Sequence, residues 1–400
     1  MLSQQTIDIV KSTAPVIADA GPSLTAHFYE RMFRDNPELK DVFNLSHQHS
    51  GRQREALFNA VHAYAANIDN LEALLPAVEK IAQKHTSFLI TAEQYQIVGK
   101  HLLATVDELL NPGQAVLDAW AEAYGVLAGV FIDRESAIYA QNETAAGGWK
   151  GTRTFELVEK TTESDVITSF LFRPLDQAPV MAFKPGQYIG LQVQPEGFEH
   201  QEIRQYSLSD SHKPNQYRIS VKRETRDSQQ LSVSNYLHDQ VKVGDKLNIS
   251  APCGDFHLKD SAKPAVLVSG GVGITPMQSM LETLIARDPE RDVHFVHGTE
   301  NGGHHSFSHR LQQLSREGKV IPHIFYANAS EADRAEQRFQ YEGQTDLTAI
   351  EAELPIDEAE FYLCGPLAMM KEMYLQLKML KVPDTNIFYE VFGPTKSLAN

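Results

Sequence analysis

At 400 residues, 42% hydrophobic and 22% charged, the chain has the composition of a globular protein and is too long for one ordinary core, so two or three domains are expected. A formal charge of −16 speaks against non-specific binding to nucleic acid or an anionic membrane, and no apolar run approaches the roughly 20 residues that span a bilayer. Cys253 and Cys364 give no disulfide framework and Met1–Gln5 lacks a basic-then-apolar leader pattern, so a reducing cytoplasm is the expected compartment.

Up to about Ala140 the chain is rich in helix formers and poor in glycine. Apolar residues recur at helical spacing in Leu102, Leu103, Val106, Leu109 and Leu110, and again in Val126, Leu127, Val130 and Phe131. Pro37, Pro76 and Pro112 each suit a helix's first turn or the loop before it. An all-helical domain is predicted. Gly147, Gly148 and Gly151 then interrupt the pattern and mark a linker. Beyond it come short β-rich segments at 154–158, 166–172, 188–193, 217–222 and 246–250, separated by Pro and Gly turns, which predict a small antiparallel barrel. After Lys263-Pro264 strands and helices alternate. Strands are expected at 265–269, 293–297 and 361–364 and a helix at 277–286, in a parallel α/β sheet.

In the helical region, Val78 to Thr86 carries His85, one of 16 histidines and by itself more often a surface or core residue than a ligand. The run His27-Phe28-Tyr29-Glu30-Arg31-Met32-Phe33 leads through Asn36-Pro37-Glu38-Leu39 to Phe43. Gln53, Leu57 and Val61 follow, four apart on one helix face. In the order and spacing of these residues the chain closely resembles the bacterial flavohaemoglobins, across essentially its whole length. The resemblance implies His85 as the proximal iron ligand and Phe43 against the haem edge, with Tyr29, Gln53 and Leu57 over the gas-binding face. It further implies that Tyr95 and Glu135 form a hydrogen-bonded group with His85. Taken singly, a phenylalanine–tyrosine stripe is ordinary core and Glu135 an ordinary solvated carboxylate.

In the second half, Arg204-Gln205-Tyr206-Ser207, placed after a barrel strand, resembles the flavin motif of the ferredoxin-NADP reductase-like superfamily. The resemblance sets the tyrosine on the isoalloxazine, the arginine at the pyrophosphate and the serine toward the reactive flavin nitrogen. Pro185-Gly186-Gln187-Tyr188 precedes it, with Tyr188 as a second flavin-side aromatic, and Gly254-Asp255-Phe256 matches a turn near the flavin. Val233-Ser234-Asn235 opens an expected helix over 236–240. The family's glycines ahead of Val233 are replaced here by Thr225 to Ser232, side chains that do not allow the backbone the approach to a pyrophosphate that glycine does. Ser269-Gly270-Gly271-Val272-Gly273-Ile274-Thr275-Pro276 reads as a strand-to-helix turn for a nicotinamide dinucleotide, with a plain tight turn as the alternative. Cys364-Gly365-Pro366 resembles the nicotinamide-side motif, although a lone cysteine is more often inert core. Tyr389-Glu390-Val391-Phe392-Gly393-Pro394 matches the segment that covers the flavin. Glu390 and Lys84 are implied near the contact of flavin domain and haem, and both could equally be ordinary surface charges.

The expected architecture is multidomain. A globin fold (1–140) and a linker (141–151) precede a ferredoxin-NADP reductase-like FAD β-barrel (152–260) and a parallel α/β NAD(P)-binding domain (261–400). The implied cofactors are haem b, FAD and NAD(P)H, and the implied activity is conversion of nitric oxide and O2 to nitrate. Alkyl hydroperoxide reduction fits the same parts, whereas an oxygen sensor or carrier leaves the reductase half unexplained. No protein partner is expected, and neither NADH nor NADPH is favoured.

Overall fold

The computed structural model describes residues 2–43, 52–224, 232–393 and 398. They form two compact units, Met1–Thr152 with Gln192–Arg204, and Arg153–Leu191 with Gln205–Asn400.

The helical unit contains α1 (Gln4–Asp19), α2 (Gly21–Asp35), α3 (Arg52–Ala66), α4 (Leu75–Ser87), α5 (Ala92–Leu110) and α6 (Gln114–Thr144). Local chemistry sets several of the starts. Ser3 caps α1 by accepting from the Thr6 N–H, and Thr91 with Gln94 forms a capping box at α5. Pro76 occupies the first turn of α4, where its missing N–H costs nothing. Val10, Phe28, Met32 and Ala123 lie at 0–1% exposure in the core, beside Trp120, whose indole N–H donates to Thr13 Oγ1 at 2.9 Å. The last helix runs four residues past Ala140. By length and composition α6 is also apolar enough to cross a membrane, which the sequence reading did not anticipate; it packs on α1, α4 and α5, and the core helix of a helical domain passes the same test.

The second half begins with β1 (Thr152–Thr162), β2 (Ile167–Pro174), β3 (Tyr188–Val193), β4 (Glu202–Ser207), β5 (Tyr217–Lys222) and β6 (Lys246–Ser250), in the order β4-β3-β6-β1-β2-β5. β1, β2 and β5 pair antiparallel, and a bridge from Leu208 to Ile219 curls the sheet toward closure. Phe155, Leu157, Phe170, Phe172 and Ile219 are fully buried on its inner face, as the period of two requires. The flavin motif lies within β4 rather than after a strand, because Glu202 to Ser207 is itself extended. The expected helix at 236–240 is α7 (Val233–Asp239), begun earlier by the Ser232 cap.

The α/β region holds β7 (Ala265–Gly270), α8 (Ile274–Arg287), β8 (Val293–Thr299), α9 (Ser308–Arg316), β9 (Ile321–Tyr326), α10 (Glu331–Ala335), β10 (Tyr341–Glu342), β11 (Glu360–Cys364), α11 (Leu367–Met379) and β12 (Ile387–Glu390). Its parallel sheet has the order β10-β9-β8-β7-β11-β12. Strand order reverses between β7 and β11, and a crevice at such a reversal, beyond the carboxyl ends of the strands, is where open α/β sheets bind ligands.

Candidate functional site

Three helices converge on His85. It lies in the last turn of α4, Tyr95 in the first turn of α5 and Glu135 far along α6. His85 Nδ1 is 2.8 Å from Glu135 Oε1 and 2.8 Å from the Tyr95 hydroxyl, and Tyr95 donates to the same Oε1 at 2.5 Å. The Glu135 side chain is 3% exposed. Burial and the Glu135 carboxylate hold the Tyr95 phenol far above its ordinary range, so it stays a donor. A carboxylate only accepts, so Nδ1 is the nitrogen that carries a proton; in the neutral ring the lone pair is then on Nε2, which has no hydrogen-bond partner among the described residues. A histidine with a carboxylate behind it and a free Nε2 is the donor set that fits haem iron.

Surrounding residues brace this group. The Tyr124 hydroxyl donates to the Tyr95 carbonyl at 2.6 Å, and its ring fits because residue 99 is glycine: a Cβ there would meet the ring at 2.3 Å. Arg134, beside Glu135, bonds Glu79 on α4 through Nε and Nη2, at 2.5 and 2.9 Å. Phe131 packs its ring 5.9 Å from His85. Sequence reading missed all three, since each role depends on which helices meet.

In a separate cluster of the helical core Tyr29 is 4% exposed and packs edge-on against Phe28 (5.0 Å) and Phe43 (6.1 Å). Leu57 and Phe43 border the same cluster, half-buried. Gln53 lies on α3, but its side chain falls outside the described residues. Lys84 precedes His85 on α4.

On β4, Arg204 is held by its own strand: Nη1 donates to Glu202 Oε2 at 2.5 Å and to the Ile203 carbonyl at 2.9 Å. Gln205 and Tyr206 are half-buried and Ser207 is buried. Tyr188 opens β3 against Cys253, and burial pushes its phenol well up. Thr225 to Leu231, where the family's glycines are missing, lie outside the described residues, as does Pro394.

At the sheet reversal, the Gly270–Gly273 turn and the Cys364–Pro366 turn close on each other. A Cβ on Gly273 would sit 2.1 Å from the Cys364 carbonyl oxygen, so only glycine permits the approach. Gly271 adopts φ +51°, and the Thr275 hydroxyl donates to the Val272 carbonyl at 3.1 Å, fixing the first turn of α8 behind buried Ile274. Cys364 is 1% exposed, and burial, with Glu390 second, pushes its thiol well up, the opposite of the lowered thiol of a reactive cysteine. In the parallel register Cys364 pairs with Glu390, which places Val391, Phe392 and Gly393 just beyond the same sheet edge; Phe392 is 44% exposed. Pro366 caps α11. Lys84 and Glu390 fall in different compact units.

Family models match in the same order: a globin over residues 26–131, an oxidoreductase FAD-binding domain over 154–258 and an oxidoreductase NAD-binding domain over 267–374. The flavohem-like FAD/NAD-binding domain of a nitric oxide dioxygenase from Vibrio cholerae O1 biovar El Tor is 42% identical, over 60% of this chain and 99% of that one, with a TM-score of 0.56. A flavohemoglobin from Malassezia yamatoensis, determined with bound FAD and heme, is 27% identical over 98% of this chain and 100% of that one, with a TM-score of 0.85. An Amycolatopsis cytochrome P450 reductase, 24% identical over 61% of this chain and 70% of that one at a TM-score of 0.51, shares the reductase fold alone. Haem, FAD and NAD(P)H are the cofactors of these three modules, an NAD(P)H-dependent oxidoreductase results from joining them, and the chain belongs to the flavohaemoglobin family.

Proposed function

We propose that the chain is a nitric oxide dioxygenase, converting nitric oxide and O2 to nitrate with electrons from NAD(P)H. The observation that carries this reading is the His85–Tyr95–Glu135 group. Glu135 draws the Nδ1 proton and makes the ring a stronger donor at Nε2, and Tyr95, kept protonated, holds the carboxylate in place. Such electron donation favours O–O bond chemistry over reversible storage. When bound, haem supplies an iron that takes one electron at a time, FAD the step from two electrons to one, and NAD(P)H the hydride.

The chain's own residues divide this work. His85 anchors the haem, Phe43 and Leu57 cover it, and Tyr29 with Gln53 offers polar groups on the gas-binding side. Arg204, Gln205, Tyr206 and Ser207, with Tyr188, hold FAD. The Gly270 to Thr275 turn and Cys364 to Pro366 receive the dinucleotide, and Glu390 to Gly393 cover the flavin, with Lys84 and Glu390 serving electron passage. The relative from Vibrio cholerae bears the dioxygenase name and matches the reductase half. Cytoplasmic localisation accompanies this reading.

The test is an absorbance spectrum of the purified chain without oxygen, before and after NADH, then with carbon monoxide. Superposed haem and flavin bands, followed by the carbon monoxide band of reduced haem, are expected. Flavin bleaching with no haem band would contradict the reading.

A further inference from the structure

We infer that Glu202 is a positioning residue for FAD, acting through Arg204; the inference rests on the reading that Arg204 meets the diphosphate. The two residues stand two apart on β4 and so share one face of the strand. Their side chains are 7% and 19% exposed, and the Arg204 ion pair is the one side-chain hydrogen bond Glu202 makes among the described residues.

The Arg204 guanidinium is preset to meet a phosphate. It has five N–H groups in a rigid plane. Glu202 and the Ile203 carbonyl engage both protons of Nη1. Nε and Nη2 make no hydrogen bond among the described residues, and their parallel N–H pair is the edge that grips a phosphate in two places. A long flexible arginine would ordinarily lose much rotamer freedom on meeting a diphosphate. Here a buried carboxylate has already fixed the corner opposite the binding edge, so that cost is met in folding rather than in binding. Glu202 cannot release the arginine without leaving its own charge buried and unpaired. Arg204 therefore stays on Glu202 when FAD binds and presents only the Nε/Nη2 edge.

The experiment is titration of the full-length, flavin-stripped, haem-loaded protein with FAD and, separately, with riboflavin, which lacks the diphosphate. E202L should weaken FAD binding about tenfold, the order seen when an outer partner of a ligating residue is lost, and leave riboflavin binding unchanged. E202Q, whose amide oxygen still accepts from Nη1, should restore most of the affinity and remains informative if E202L fails to fold. In an R204M background E202L should cost nothing further. Equal losses for FAD and riboflavin, or an undiminished loss in R204M, would mean that Glu202 merely supports β4 and would overturn the inference. If R204M by itself leaves FAD affinity unchanged, the diphosphate reading of Arg204 falls first and the inference with it.

Discussion

Glu135 Oε1 lies 2.8 Å from His85 Nδ1 inside the helical unit, and in the proposed haem site this contact leaves Nε2 as the nitrogen offered to iron. Replacing the carboxylate by an amide keeps the shape and removes the charge that draws the proton. Glu135→Gln and Tyr95→Phe should both retain haem and slow turnover by roughly tenfold or more. The iron–histidine stretching frequency in resonance Raman spectra should fall in each. Unchanged turnover and frequency in both variants would remove the case for electron donation through His85.

His85→Ala deletes the proposed iron ligand. Stable haem binding should be lost, while flavin content and NADH-driven reduction of an artificial acceptor persist, because the reductase residues lie elsewhere in the chain. Absorbance in the haem region of the purified variant decides this; a normal haem spectrum would refute the axial assignment.

Gly273→Ala forces a methyl against the Cys364 carbonyl, 2.1 Å away, and backbone cannot swing aside as a side chain does. Overpacking of this kind costs about 1–3 kcal/mol and should push apart the two turns proposed to receive the dinucleotide. Rapid-mixing measurements should show flavin reduction by NADH slowed about tenfold or more, with haem and FAD content unchanged. Wild-type kinetics would argue that the dinucleotide binds away from the sheet reversal.

A pH dependence follows from two histidines of the α/β region. Burial pushes His305 down to about 4 against the pull of Asp333, and burial with neighbouring His294 pushes His323 down to about 4. Both stay neutral when folded: His305 bonds the Tyr326 hydroxyl at 2.9 Å and His323 bonds His294 at 3.0 Å. The unfolded chain takes up these protons near its ordinary value of 6.5, the folded chain only near 4. Their stabilisation is thus complete above about pH 6.5 and is lost as pH falls toward 4, up to about 3 kcal/mol for each. The urea midpoint for release of flavin should drop between pH 7.5 and pH 5, and a His305→Gln, His323→Gln double variant should flatten that drop. An equally steep decline in the variant would place the effect in other groups.

Strands at 188–193, 217–222 and 246–250 were legible to the residue, because turn-forming residues bound them and apolar positions alternate inside. Segments that break those rules were not. β9 contains Pro322, β10 is two residues long, and β12 is short and polar at its end. α8 begins at Ile274, three residues before the expected Met277, because Pro276 is tolerated in a first turn and reads in sequence as a break. His85, Tyr95 and Glu135 were named as a set only through family resemblance. Their distances in sequence, 10 and 40 residues, say nothing of contact until α4, α5 and α6 are packed. The same holds for the Arg134–Glu79 brace and the Glu202 hold on Arg204.

The most direct test of dioxygenase activity is the product balance when purified protein, NADH and O2 meet a limited dose of nitric oxide. A hydride carries two electrons and each turnover consumes one. The expected result is nitrate matching the nitric oxide consumed, with one NADH oxidised for every two nitrates, and no such yield from His85→Ala. Nitric oxide that persists, or that disappears without forming nitrate while NADH is oxidised, would contradict the assignment.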